Sequence, residues 1–467
     1  MLSISLFIFG PKASLDEGGN TRALVRDPET GHPIGPGVVK KFRGREGYAE
    51  DINFGTGRIN RSNFINDVVE MLKVIDEEFA KDTGHDLWDR ETRDDILKSG
   101  SAFSGSSKHL FSPGKISDEE YTSYKPTTGD IDLMVPEDEM IQLYKTLNRL
   151  ESSRPNLTRK ISYIGHNKLG AGTDQINALF AYTWDDSLPE GEGDVFFQID
   201  FEGSEFSGGR PTDWAAFSHS SDWEDVKAGI KGVAHKLTLF SLAAATSPSP
   251  TNARLSTPTG TAEKPKISYT KDRKTGEKIP APLKSMRSFD VVSGLGSRYQ
   301  KLDWTHDGNE VYKYLTRPER ITSTRDIKQI FEGLFGSDPS PSSEDIKKLG
   351  SFIGLLQLMN ERLSPQVTVK IFEGVVIQLF GRGASALSAT DINKDIIPKN
   401  AIVNKFKELV PDVLSSTINI DKMKEQFYST YKVRGQSGYV EDTGSIASVD
   451  ESRYHSSKRL FEIVKGQ

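Results

Sequence analysis

Apolar residues recur along this chain with two periods, and the periods place its elements. Leu2, Ile4, Leu6 and Ile8 sit at every second position, the spacing of a strand whose alternate side chains share a face. Residues 15–58 are polar and glycine-rich, which predicts a long surface loop. From Ser62 the period lengthens. Phe64, Ile65, Val68, Val69, Leu72, Ile75 and Phe79 recur every three or four residues, an amphipathic helical stripe that Gly84 would stop. Residues 96–107 are a Gly/Ser-rich turn region, and residues 112–128 form a polar insertion. The period returns to two at residues 129–135 (GDIDLMV), a strand followed by a predicted helix over 138–150. Further strands are expected at 161–164, 177–182 and 195–201 (VFFQIDF), and one helix over 223–245.

The pattern changes at Thr246, where TSPSPTNARLSTPTGTAEKP has the composition of a linker or exposed loop. Asp272 to Gly276 (DRKTG) is a hairpin-tip signal within residues 267–279, and residues 288–292 are a further strand candidate. Beyond them helical spacing dominates, near 324–335, 343–362, 365–381, 399–410 and 420–432, with a last amphipathic stretch carrying Leu460, Phe461, Ile463 and Val464. The expected fold class is α+β. The expected domains are an N-terminal strand and loop (1–59), a catalytic domain with a mixed sheet and flanking helices (60–245), a linker and hairpin (246–287), a helical domain (288–433) and a polar tail with a short helix (434–467).

Composition narrows the chemistry. The 467 residues include no cysteine, which excludes disulfides, thiolate zinc sites and a cysteine nucleophile and leaves the cytoplasm as the default setting. No segment is apolar enough over enough length to span a membrane, and the first ten residues lack the basic leader and cleavage site of a signal peptide. The net charge of −6 argues against a chain-wide nucleic-acid coat. Residues 264–330 nevertheless hold 15 Lys and Arg against 8 Asp and Glu, either a solvated surface or a phosphate-facing patch. No P-loop, H-E-x-x-H or G-x-S-x-G motif is present.

The acidic strand carries the strongest chemical signal. Asp130 and Asp132 are two residues apart, so both point to one face while Ile131 and Leu133 point to the other. Adjacent carboxylates repel, and a cation between them removes the cost. Asp200 interrupts a second apolar strand, where an Asp is unfavourable. Gly105-Ser106 is a turn entering a short helix, which lets a backbone approach an oxyanion. Each feature has a plainer reading: a pair of solvated charges, a capping Asp, an ordinary Gly-Ser turn.

Together, SGSSKHLF, TGDIDLMV and FFQIDFE resemble the Gly-Ser turn, Asp-x-Asp strand and third acid of the nucleotidyltransferase superfamily of the DNA polymerase β type, over roughly residues 60–245. That superfamily includes CCA-adding enzymes, poly(A) polymerases, terminal uridylyltransferases and small adenylyltransferases. The resemblance implies a Mg²⁺- or Mn²⁺-dependent transfer of a nucleoside monophosphate from an NTP such as ATP to a hydroxyl, with pyrophosphate release. It implies that Asp130, Asp132 and Asp200 are catalytic and hold the metal, and that Gly105 and Ser106 bind the triphosphate. Lys236, on a helix after the third acid, would grip the outer phosphates; its plainer reading is a lysine snorkelling from a buried helix. The acceptor stays open between RNA or another polynucleotide, a protein and a small molecule. The competing expectation is a module that keeps the fold as a binding or structural device without catalysis.

Overall fold

The computed structural model describes residues 40–42, 45–47, 51–153, 161–166, 175–189, 192–230, 232–247, 269–272, 274–280, 283–291, 294–304, 310–314, 323–386 and 392–411. The strand expected near residue 4, most of the linker after Thr246, and the stretches 420–432 and 460–464 lie outside them. The chain divides into two units, Asp16–Gly232 and Met1–Leu15 with Val233–Gln467.

In the first unit the long amphipathic stripe is helix α1, Arg61–Thr83. Asn60 caps it by accepting from the Asn63 amide, and Gly84 ends it at φ 84°, a left-handed conformation that glycine adopts without strain. Helices α2 (Arg90–Lys98), α3 (Ser107–Leu110) and α4 (Asp118–Tyr124) lead to strand β1 (Asp130–Pro136). A short 3-10 turn, Glu137–Glu139, precedes α5 (Met140–Ser153). Then come β2 (Ile161–His166), β3 (Gln175–Thr183), β4 (Asp194–Ser204), α6 (Asp213–Ser218) and α7 (Trp223–Lys227).

The main sheet has the order β1-β4-β3-β2 and is mixed: β1 runs parallel to β4, while β4–β3 and β3–β2 are antiparallel. One face is apolar. Ile131, Leu133 and Val135, Ile176, Ala178 and Phe180, and Val195, Phe197, Ile199 and Phe201 join Phe64, Val68, Leu72 and Ile75 of α1 and Leu143, Leu147 and Leu150 of α5 in one core. That burial is the main stabilising term, at roughly 25 cal/mol per Å² of apolar surface.

The stretch 112–128, expected as a polar insertion, is ordered and tied down. Tyr121 is fully buried, and the Arg61 guanidinium is buried beneath the segment. Arg61 donates to the carbonyls of His109, Leu110 and Ile116 and pairs with Asp118 at 2.8 Å. The single helix expected over 223–245 is also broken. It stops at Lys227, turns through Gly229 at φ 70°, and restarts as α8 (Gly232–Ala245).

The second unit contains most of α8, a hairpin of Tyr269–Lys271 with Lys278–Pro280, and a four-stranded antiparallel sheet. Its strands are Leu283–Asp290, Gly294–Trp304, Glu310–Tyr314 and Ser323–Thr324, where a single strand at 288–292 was expected. Helices follow at Ile327–Phe335, Ser343–Leu349, Phe352–Arg362, Pro365–Ala386 and Ile392–Leu409. The helix expected over 343–362 is two, because the Ser351 hydroxyl accepts from the Gly354 amide and starts a second one. The architecture is α+β. Among the described residues no helix is long and apolar enough to cross a membrane.

Candidate metal centre

The second face of the β1-β4-β3 sheet is polar, and register decides which residues meet on it. Asp130 lies beside Gln198, Asp132 beside Asp200, and Met134 beside Glu202. Across β4, Asn177 lies beside Asp200 and Gln175 beside Glu202. Period-two alternation therefore gathers three aspartates from two strands onto one surface. Asp130, Asp132 and Asp200 each offer a carboxylate oxygen, all within 4.8 Å of one another.

Their surroundings are built for charge. Asp132 and Asp200 are buried, and Asp130 is half-buried. Asp200 is held by three amides: Asn177 and Gln198 each donate to Oδ1 at 2.6 Å, and Gln175 donates to Oδ2 at 3.1 Å. Burial, then the Asp130 charge, still pushes the Asp200 carboxyl up to about 7 against the pull of those hydrogen bonds. Asp132 is raised well above the usual carboxylate range, by burial first and then by Glu202, Asp130 and Asp200, with Lys125 opposing. Its Oδ1 is buried and accepts no hydrogen bond. A buried carboxylate oxygen without a donor is costly, and a divalent cation is the partner such an oxygen suits. Three hard oxygen donors converging on one point fit Mg²⁺ or Mn²⁺, which need only a few carboxylates alongside water and substrate phosphates.

The Gly-Ser turn packs directly on this cluster. Gly105 adopts φ 52°, and a Cβ there would sit 2.9 Å from Asp132 Oδ2, so only glycine allows the close approach. Ser104 donates its amide to the Asp132 carbonyl, and the Ser107 hydroxyl accepts from the Asp132 amide at 3.0 Å. Phe103 bridges to Leu133 and stacks on Phe111 with centroids 3.8 Å apart, closing the loop around the turn. Ser106 precedes α3, and its hydroxyl accepts from Lys125 Nζ at 2.6 Å.

The structure thus brings five of the expected residues together: Asp130, Asp132, Asp200, Gly105 and, through the turn, Ser106. Lys236 lies in the second unit, buried on α8. Its neighbour His235 donates from Nε2 to the Leu349 carbonyl, 2.8 Å away, and burial pushes its imidazole down to about 4.

Four participants escape a reading by motif. Glu202 is buried two residues beyond Asp200; Ser104 Oγ donates to its Oε2 at 2.7 Å, and His219 Nδ1 lies 3.2 Å from the same oxygen. Burial would raise Glu202, but His219 and Ser104 outweigh it and hold the carboxyl below its ordinary value. The Asp-x-Glu alternation on β4 was the signal for Glu202. Asn177, likewise, sits on the predicted strand 177–182 with no partner visible in sequence. His219 follows α6 and accepts the Gly105 amide on its carbonyl, and Lys125 follows α4; neither has a local signature.

No protein-family model, curated protein or solved structure matches the chain. The functional reading therefore rests on geometry and on the motif resemblance.

Proposed function

We propose that the Asp16–Gly232 unit is a metal-dependent nucleotidyltransferase with a DNA polymerase β-like sheet, moving a nucleoside monophosphate from an NTP to a hydroxyl acceptor and releasing pyrophosphate. The observation that carries it is the convergence of Asp130, Asp132 and Asp200 on one sheet face, with the Gly105 turn pressed against Asp132.

Asp130, Asp132 and Asp200 would hold Mg²⁺ or Mn²⁺. The bound cation supplies Lewis-acid stabilisation of charge developing on the α-phosphate and its leaving group. The chain does the rest. Asn177, Gln198 and Gln175 fix the Asp200 carboxylate in one orientation, which suits it to take the proton of an attacking hydroxyl. Gly105 and Ser106 present a backbone and a hydroxyl to the triphosphate without a side chain in the way. The buried face excludes bulk water from the carboxylates, so each interaction there is stronger than in solvent.

The test is label transfer. Wild-type protein incubated with each labelled NTP, Mg²⁺ or Mn²⁺, and RNA, protein or small-molecule acceptors is expected to transfer label, and the Asp130→Ala/Asp132→Ala double variant to lose it. Undiminished transfer by that variant overturns the assignment. Wild-type binding of Mn²⁺ and NTP with no transfer to any acceptor supports the non-catalytic module instead.

A further inference from the structure

A fourth acid shares the polar face of β1 and β4. Glu202 follows Asp200 by two residues on β4, so it points the same way, about 7 Å further along the strand. It is buried, as Asp132 and Asp200 are. Burial comes first in raising the Asp132 carboxyl, and Glu202 is the largest of the charges that add to it. Yet the carboxylates that converge to within 4.8 Å are those of Asp130, Asp132 and Asp200, and Glu202 is not among them.

Its donors hold it elsewhere. Ser104 Oγ donates to Glu202 Oε2 at 2.7 Å, and His219 Nδ1 lies 3.2 Å from the same oxygen. A carboxylate only accepts, so Nδ1 carries the proton, and Nε2 is left facing Ser204 Oγ at 3.4 Å. Two donors on one oxygen fix the rotation of the carboxylate.

Resting on the metal centre of the reading above, whichever group is transferred, we propose that Ser104 and His219 clamp Glu202 away from the cation and so select Mg²⁺ or Mn²⁺ over Ca²⁺. The clamp is tied to the cluster it serves. Ser104, which holds Glu202 with its hydroxyl, donates its amide to the Asp132 carbonyl at 3.0 Å. His219, which holds Glu202 with its ring, accepts the Gly105 amide on its carbonyl at 3.2 Å. Gly105 in turn lies against Asp132 Oδ2, and the other oxygen of Asp132 is the buried one that accepts no hydrogen bond. Both residues that hold Glu202 are thus bonded through their own backbones to the cluster or to its turn, which fixes where the fourth carboxylate is kept.

Ligand number separates the candidate ions. Mg²⁺ is small, demands octahedral geometry and keeps several waters beside one or two carboxylates and substrate phosphates, whereas Ca²⁺ accepts more oxygens in a flexible shell. A fourth carboxylate at the cluster supplies oxygens that Ca²⁺ can use and Mg²⁺ cannot. Pairing it with Ser104 and His219 withholds it while leaving no buried charge uncompensated. A clamp that served only to brace the turn would act otherwise: its loss would weaken every cation alike.

The test is titration of the full chain with Mg²⁺, Mn²⁺ and Ca²⁺ separately, without nucleotide, read by calorimetry and by the rise in melting temperature. Wild type is expected to bind Mn²⁺ more tightly than Ca²⁺. In Ser104→Ala/His219→Ala the ratio of Ca²⁺ to Mn²⁺ affinity is expected to rise about tenfold or more, the scale on which partners of metal ligands tune a site. Ser104→Thr and His219→Asn, which keep a donor at each place, are expected to retain most of the wild-type ratio. Adding Glu202→Gln to the double variant is expected to return the ratio towards wild type, because the freed acid is then gone. Should the double variant melt early, Ser104→Ala with and without Glu202→Gln carries the same comparison. A ratio unchanged in the clamp variants overturns the proposal, as does a rise that persists with Glu202→Gln, or a wild type that binds Ca²⁺ as tightly as Mn²⁺. The two readings separate: label transfer by wild type with an unchanged ratio in the variants removes only the clamp, whereas a Glu202-dependent rise in a protein that transfers no label removes only the activity. Wild type that binds none of the three ions removes the metal centre and the clamp together.

Discussion

Strand β4 has two faces that are buried alike and chemically opposed. On one, Val195, Phe197, Ile199 and Phe201 enter the core under α1. On the other, Gln198, Asp200 and Glu202 are buried almost as deeply. Depth of burial therefore does not separate structure from function in this unit; what burial does to each side chain does. The apolar face gains free energy by leaving water. The acidic face loses it, and the loss is only partly offset by the amides around Asp200 and by Ser104 and His219 around Glu202. Asp132 keeps an oxygen with no donor at all. A cation bound among Asp130, Asp132 and Asp200, as proposed, would offset that loss.

That contrast can be tested by damaging each face in turn. The largest effect is expected at Asp132. Asp132→Asn should lower label transfer by about 10³-fold, the scale of removing a central electrostatic contact, while raising the metal-free melting temperature by relieving repulsion. On the opposite face Phe197→Ala should do the reverse, costing about 3–5 kcal/mol of stability in chemical denaturation, with activity in the remaining folded protein largely kept. If Asp132→Asn destabilised the metal-free protein as Phe197→Ala does, the two faces would not differ as described.

Gly105→Ala comes next, because it touches the acidic face without changing its charge. The positive φ costs about 1–2 kcal/mol, and the added Cβ presses on Asp132 Oδ2. Mn²⁺ affinity and transfer should both fall in calorimetry and label assays, whereas Gly84→Ala, equally strained but remote in sequence, should lower stability alone.

A smaller effect follows from pH. In metal-free protein the Asp200 carboxyl is raised to about 7, above its unfolded value. Its contribution to stability is therefore fully present below the unfolded value and is lost as pH rises through about 7. A divalent cation replaces the proton, so the rise in melting temperature on adding Mn²⁺ should be larger at about pH 8 than at about pH 5. Equal shifts at both would detach the metal from this carboxylate. The mildest change is Glu202→Gln, which keeps an oxygen for Ser104 and removes a charge beside Asp132; Mn²⁺ should bind somewhat more weakly, with little loss of secondary structure by circular dichroism.

Several of these features were legible in the sequence for local reasons. The stripe from Phe64 to Phe79 and the flanking Asn60 and Gly84 define α1, since helix period and caps are properties of neighbouring residues. Asp130 and Asp132 share a face because strand period is two. The break at Gly229 was marked by the glycines around Ile230 and Lys231, yet the apolar run on both sides favoured one continuous helix. The strand Gly294–Trp304 was missed because Ser297, Arg298, Gln300, Lys301 and Asp303 dilute its alternation, and pairing on both sides supplies what its pattern lacks.

By itself, then, the sequence determined which carboxylates lie on strands, which way alternate ones point, and where a glycine turn could form. Only the tertiary structure decided that β1 and β4 pair in parallel with Asp132 against Asp200, that Asn177, Glu202 and His219 complete the surroundings, and that Lys125 reaches Ser106. The physical reason is range. Alternation, capping and turn conformation are fixed by residues a few positions apart. Strand register and the reach of a lysine across a turn are fixed by the packing of elements distant in the chain, for which no single local pattern stands.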